Sequence, residues 1–191
     1  MSTVTVGPLD PASPTWSTDL TDWVSVTNAS NRDLFGGDAE LTAAPVATAL
    51  ASRPDQRRIY FLARTPDGTP VGAAALVRLA ADDPPEADAW ISVRPDARGA
   101  GLGTALVRTL EDTARRLGVR RLVLDQASPR EDGSPGAGFA RSLGYAEWRL
   151  LLGLRLRLPV APEILDRFEA RARESCGTAY EVLTACDDLP E

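Results

Sequence analysis

Gly99, Gly101 and Gly103 stand at every second position behind Arg98, in a stretch that reads VRPDARGAGLGTA from Val93 to Ala105. Glycine lets backbone N–H groups turn outward together and lets a ligand come within hydrogen-bond distance. The apolar stripe Leu102, Leu106, Leu110, Ala114 and Leu117 predicts a helix that opens inside this stretch, with Gly118 at its C-terminal end. The first turn of a helix has N–H groups without partners and carries a partial positive charge. With the guanidinium of Arg98 added, these residues describe an anion site, most naturally for phosphate. A plain strand-to-helix connection needs one or two glycines, and a first helical turn gains nothing from another. Two other phosphate loops do not fit. A nucleoside-triphosphate loop needs Gly-x4-Gly-Lys-Ser/Thr, and the chain has no lysine. The dinucleotide fingerprint needs Gly-x-Gly-x-x-Gly after the first strand of a β-α-β unit; this spacing is Gly-x-Gly-x-Gly, after the fourth predicted strand.

Other chemistries are removed by what the chain lacks. It contains no histidine, so Ser-His-Asp triads, Cys-His pairs and histidine metal sites are out. Cys176 and Cys186 make neither a zinc site nor a disulfide framework and are expected to be reduced thiols; no metal is expected. The net charge of −6, from 21 basic and 27 acidic side chains, argues against general nucleic-acid binding. The first residues, MSTVTVGPLDPASP, lack the basic and apolar regions of a signal peptide. No apolar run reaches the ~18 residues that span a bilayer. The expectation is a cytoplasmic protein without a membrane segment. Abundant Ala, Arg, Gly and Pro with no lysine suggest a GC-rich bacterial source.

The elements that must position the glycines follow from periodicity. Thr3 to Val6 alternates as a short strand. A helix runs from Ser17, with Leu20, Trp23, Val24 and Val26 or Thr27 on one face, Asp19 or Thr18 as cap, and Gly36-Gly37 as its end. A second helix fits 41–51. RIYFLAR (58–64) and VGAAALVRL (71–79) form a hairpin through TPDGTP, where Pro66 presets φ and Gly68 accepts a positive one. ADAWISV (87–93) is the next strand and leads into the glycines. RRLVLDQ (120–126) is densely apolar, the mark of a strand buried on both faces in parallel pairing. A short helix over 137–142, a long strand over 146–158, an amphipathic helix over 162–175 with Ile164, Leu165, Phe168 and Ala172 on its apolar face, and a last strand over 179–185 complete the chain. This order implies one mixed sheet with helices on its faces.

Arg98-Gly99-Ala100-Gly101-Leu102-Gly103 resembles the Arg/Gln-x-x-Gly-x-Gly/Ala motif of the GCN5-related N-acetyltransferases (GNAT). WISVRPDARGAGLGTALV is similar to that family's fourth strand, loop and third helix, and FARSLGY to its short helix ending in Leu-Gly-aromatic. The resemblance covers residues 58–158 well. It implies an α/β GNAT fold, with a mixed, mostly antiparallel central sheet of six to seven strands flanked by helices. It implies one domain over residues 1–191, its core at about 17–158, with residues 159–191 adding a helix and a last strand. The donor it implies is acetyl-CoA or another acyl-CoA. The N–H groups of Arg98, Gly99, Ala100, Gly101, Leu102, Gly103 and Thr104 would hold the pyrophosphate. The backbone of Ile91, Ser92 and Val93 would take the pantetheine arm like an added strand. An N–H near Ile91 would stabilise the tetrahedral intermediate.

The implied reaction is acetyl transfer to a small-molecule amine by direct attack on the thioester. Its acid and base are not fixed by the motif. Family members often carry a tyrosine five residues before the aromatic that corresponds to Tyr145, and that position is Ala140. Ser142 or a water is left as proton donor, and Tyr145 reads as a packing residue. Glu86 and Asp88 are the candidate bases; the alternative is that both are solvated. Asp33, Asp38 and Glu40 could attract a cationic amine or lie on a solvated surface. The tail resembles the first half of two-lobed, mycothiol-synthase-like members, so a homodimer or a second lobe is an expected partner. A degenerate acyl-CoA-binding lobe that scaffolds its partner is the competing function.

Overall fold

The computed structural model describes residues 4–36, 40–50, 55–79, 85–125, 135–149 and 159–176. The chain divides into two compact units, residues 1–148 and 149–191. The first holds β1 (Thr5–Pro8), α1 (Trp16–Phe35), α2 (Ala43–Leu50), β2 (Gln56–Arg64), β3 (Pro70–Leu79), β4 (Glu86–Val93), α3 (Leu102–Arg116), β5 (Arg121–Leu124) and α4 (Pro135–Ser142). The second holds α5 (Pro162–Cys176), on which the apolar residues Ile164, Leu165 and Phe168 are exposed. No described helix is long and apolar enough to cross a membrane.

The five described strands form one sheet in the order β1-β2-β3-β4-β5. The first three pairings are antiparallel, and β4 with β5 is parallel. The mixed, mostly antiparallel sheet is as expected, with five strands among the described residues instead of six to seven. Residues 146–149 of the expected long strand are not in a strand, and its remainder and the expected last strand fall outside the described residues.

Strand alternation sorts the side chains onto two faces. Phe61, Ala63, Ala74, Leu76, Ala87 and Ala89 pack with Leu102, Leu106, Leu110 and Ala114 of α3. Tyr60, Leu62, Ala73 and Ala75 pack on the other side with Leu20, Trp23, Val24 and Val26 of α1 and Val46 of α2. The small residues of β3 let a helix approach closely on both faces. The predicted stripe on α3 is therefore the core stripe. β5 is only half-buried, not covered on both faces as its sequence suggests.

α1 begins one residue earlier than its pattern indicates, with Thr15 as the N-cap residue. Thr15 caps no backbone group; its hydroxyl instead donates to Asp19 Oδ2 at 2.6 Å. Asp19 and Asp22 both accept from Arg64 Nη2, at 2.7 and 2.6 Å, which ties α1 to β2. The Thr15 hydrogen bond, and then Arg64, hold the Asp19 carboxyl below the usual range against the opposing effect of partial burial.

Candidate functional site

The register of β4 determines which backbone groups reach its open edge. Asp125 N–H donates to Ala89 O at 2.8 Å, and Arg120 N–H donates to Pro85 O at 2.8 Å. The odd-numbered residues of β4 therefore aim their backbone groups toward β5. Pairing with β5 runs only from Glu86 opposite Arg121 to Ala89 opposite Leu124. Ile91 and Val93 point the same way past that end, where no described strand meets them. Ser92 differs from its two neighbours. Its backbone lies in the ladder with Ala73 of β3, and its buried side chain is on the α1 face.

The glycine loop continues from this edge through a short 3-10 turn, Pro95–Ala97. Gly99 and Gly101 have φ of +80° and +81°, the left-handed region that other residues enter at a cost. A Cβ built on either would meet nothing within 4 Å, so the space over the loop is open. Gly101 is the N-cap residue of α3 and offers no side-chain cap, and no acidic residue stands in the first turn. Among the described residues, no hydrogen-bond acceptor meets the N–H groups of Gly99, Ala100, Gly101, Leu102, Gly103 or Thr104. Six successive N–H groups without partners at a helix N-terminus form a cradle that an anion would satisfy.

Two residues of the motif make contacts that its spacing does not reveal. Gly103 is helical, and its missing Cβ makes room for Phe139 of α4, whose Cζ would lie 3.1 Å from it. The side chain of Arg98 folds away from the loop. Its Nη1 donates to Asp33 Oδ2 at 2.6 Å, its Nη2 to Ser30 Oγ at 3.5 Å, and its Nε to Val93 O at 3.3 Å. An Arg98 side chain fixed on α1 leaves the anion-binding capacity to backbone N–H groups. The pairing with Asp33 spans 65 residues and has no local signature, so sequence alone could not supply it.

The candidate bases separate as well. Glu86 and Asp88 share the face opposite α3, and Ala87 between them is buried in the α3 core. Glu86 Oε2 accepts from Arg121 Nη1 at 2.8 Å, at the far end of β4 from the glycines, roughly 17 Å before Ile91 at 3.3 Å per residue. Asp88 lies opposite Val123, one residue before the point where β5 stops pairing. Of the acidic residues considered for attracting an amine, Asp33 is paired with Arg98 and Glu40 with Arg32, and Asp38 is outside the described residues. Beside the loop an open groove of about 350 Å³ is lined by Ala29, Arg32, Asp33, Arg94, Pro95 and Asp96. No group of His, Cys, Asp and Glu among the described residues converges to hold a metal.

Ala140 supplies no hydroxyl, and its carbonyl accepts from Leu143 and Tyr145 at the end of α4. The Ser142 hydroxyl donates to Phe139 O at 2.7 Å. Tyr145 is half-buried and donates its hydroxyl to Glu111 Oε1 of α3 at 3.0 Å. Burial, and then the Glu111 carboxylate, push its pKa well above the usual tyrosine value. A hydroxyl held protonated against a carboxylate joins α4 to α3 and is a poor proton donor. Tyr145→Phe should therefore leave the rate of thiol release within about twofold of wild type. Linkage gives its second effect. The unfolded tyrosine ionises near pH ~10 and the folded one higher, so its contribution is full below pH ~10 and is lost as pH rises toward the folded pKa. Urea unfolding between pH 8 and 11 should show a shallower alkaline decline for Tyr145→Phe than for wild type.

A family model described as acetyltransferase (GNAT) matches residues 20–145, well over half of the chain. No curated protein matches. Solved structures share the fold at low identity. An acetyltransferase of Trypanosoma brucei has 23% identity and a TM-score of 0.56, over 81% of this chain and 100% of that one. Aminoglycoside N-acetyltransferase AAC(6')-Iy in complex with CoA has 17% identity and a TM-score of 0.60, over 82% and 97%. A ribosomal-protein-alanine N-acetyltransferase of Brucella melitensis has 20% identity and a TM-score of 0.57, over 81% and 100%. With the left-handed glycine loop, the open edge of β4 and this match all falling on the same elements, the chain belongs to the GNAT acetyltransferase family, an N-acetyltransferase with acetyl-CoA as its co-substrate.

Proposed function

We propose that the protein transfers the acetyl group of acetyl-CoA to a primary amine of a small molecule in a single displacement. The observation that carries the donor half is the row of unpartnered N–H groups from Gly99 to Thr104 beside an open strand edge. The pyrophosphate would accept from these groups, and the pantetheine amides would pair with Ile91 O and the Val93 N–H, which leaves the Ile91 N–H for the thioester. The Arg98 N–H, included in the sequence assignment, donates to Pro95 O at 3.5 Å and stands outside this row, and Ser92 lies between two outward-facing neighbours.

The amine nitrogen attacks the thioester carbon, forming N–C while C–S breaks. The outward N–H of Ile91 is the donor placed to meet the developing oxyanion. Asp88 is assigned as base, directly or through a water, because it lies two residues nearer the donor edge of β4 than Glu86 and one residue before the end of the β4–β5 ladder. The proton from the amine goes to Asp88. The departing thiolate takes its proton from water, which a thiol with a pKa near ~8.5 permits without a protein acid. The shared fold of the aminoglycoside N-acetyltransferase supports an amine acceptor of small-molecule size.

Acetyl-CoA at about a hundred times its dissociation constant should stabilise the fold by about 2.7 kcal/mol in a denaturation titration. Absence of any shift with acetyl-CoA or CoA would defeat the donor assignment. Thiol release should then be followed with a panel of aminoglycosides, polyamines and amino acids. One observation favours a second reading. With Ala140 in place of a hydroxyl and Ser142 bonded to its own helix, a lobe that binds acetyl-CoA without turning it over would show the thermal shift and no thiol release between pH 7 and 9. Residues 1–191 would in either case act as one GNAT-type domain.

A further inference from the structure

We propose that Asp33 is a positioning residue for the donor loop, acting through Arg98. The inference rests on the reading that this loop binds the pyrophosphate of CoA. Asp33 lies in the last turn of α1, and Arg98 opens the glycine loop. The guanidinium of Arg98 makes three contacts at once: Asp33 Oδ2 at 2.6 Å, the hydroxyl of the buried Ser30 at 3.5 Å, and Val93 O at 3.3 Å. Val93 O is the last outward-facing carbonyl of the open edge. One side chain therefore fastens the base of the loop to the end of β4 and to α1.

This arrangement has two consequences. The loop beyond Arg98 contains two left-handed glycines and makes no backbone hydrogen bond of its own until α3 begins. Its N–H groups converge only if both of its ends are fixed. α3 fixes one end, and the Arg98 guanidinium fixes the other. Occupation of Val93 O by Arg98 also leaves the N–H and C=O of Ile91 and the N–H of Val93 as the edge groups open to an added strand. Asp33 holds the guanidinium in this position, so α1 sets the affinity for the donor from outside the donor site.

The test is titration of wild type, Asp33→Asn, Asp33→Glu, Arg98→Leu and the Asp33→Asn/Arg98→Leu double variant with CoA, alongside unfolding midpoints and steady-state kinetics with acetyl-CoA varied. Both side chains are about two-fifths exposed, so the ion pair contributes little to global stability and the midpoints should barely move. Asp33→Asn should raise the dissociation constant for CoA by about three- to tenfold, in the range of a lost charge-assisted hydrogen bond. KM for acetyl-CoA should rise in parallel, kcat should hold, and Asp33→Glu should restore part of the affinity. The double variant should be no worse than Arg98→Leu alone. Unchanged or tighter CoA binding in Asp33→Asn overturns the inference; tighter binding would mean that Asp33 merely neutralises an arginine that reaches the pyrophosphate. A fall in the unfolding midpoint that tracks the loss of affinity overturns it too, as a purely structural contact. A wild type that binds no CoA overturns the parent reading and this one with it, whereas equal binding by wild type and variant overturns this one alone.

Discussion

Gly101→Arg is expected to lower the affinity for CoA by at least a hundredfold while the protein stays folded. Gly101 has φ of +81°, and an L-residue there costs roughly 1–2 kcal/mol. A folded domain of this size has about 5–15 kcal/mol in hand, so most of its stability survives. A Cβ at this position meets no atom within 4 Å, so no steric clash adds to that cost. The same open space is where an anion must sit to reach the N–H groups of α3's first turn. An arginine side chain rooted there fills it, and strain at the N-cap residue turns the neighbouring N–H groups apart. A hundredfold is about 2.8 kcal/mol, within reach of several lost charge-assisted hydrogen bonds. Calorimetric titration with CoA and urea unfolding measure the two effects separately. Gly103→Ala supplies the contrast. It carries no φ penalty, and its Cβ would sit 3.1 Å from Phe139 Cζ, so α3 and α4 must move apart. Its cost should fall on stability first. Full CoA affinity in a folded Gly101→Arg protein would remove the loop from the donor site.

The contrast between Gly101 and Gly103 shows where sequence reading reached and where it stopped. All three glycines look alike in a motif. Only the backbone angles distinguish two that turn the chain from one that admits a neighbouring ring. Element positions were legible because they rest on periodicity: Leu102, Leu106, Leu110 and Ala114 recur with the helical repeat, and all four are core residues of α3. Element ends that rest on side-chain hydrogen bonds were less so. Thr15 looks like an unremarkable residue before a tryptophan, and its hydroxyl chooses Asp19 over the helix backbone.

The contacts that define the site's chemistry were the least legible, because each joins residues far apart in the chain. Arg98 beside a glycine loop reads as a phosphate ligand from local chemistry alone. Its partners Asp33 and Ser30 come from a helix that the loop meets only after the sheet has formed. Glu86 and Asp88 are equivalent acids by spacing, and pairing with β5 separates them, by placing Arg121 against the first and the end of the β4–β5 ladder beside the second. Tyr145 reads as packing from its place in FARSLGY, and nothing local announces the Glu111 carboxylate, 34 residues away, that accepts from its hydroxyl.

Trp23→Ala is expected to cost about 3–5 kcal/mol of folding stability, the range for truncating a buried aromatic. Trp23 is 2% exposed, the most deeply placed aromatic on the α1 face of the sheet. Its ring meets Tyr60 edge-on, with centroids 4.9 Å apart and planes at 74°. Its Nε1–H donates to Ala74 O at 3.1 Å, a buried bond between α1 and β3. Truncation removes the ring, leaves a cavity among Leu20, Leu62 and Ala75, and strips a buried carbonyl of a donor. Trp23→Phe isolates the last of these. It keeps most of the ring and loses the N–H, and should cost about 1–3 kcal/mol. Urea unfolding followed by far-UV circular dichroism measures both. The expected order, alanine well below phenylalanine and phenylalanine below wild type, requires that α1 be held mainly by this residue. The alternative anchor is the polar one, Arg64 bonded to Asp19 and Asp22. If Trp23→Ala costs less than about 1 kcal/mol, within the range of a partly exposed ion pair, that polar anchor holds the helix instead. The distinction reaches the donor site, because Ser30 and Asp33 ride on the same helix two to three turns further on and can hold Arg98 only where Trp23 has placed them.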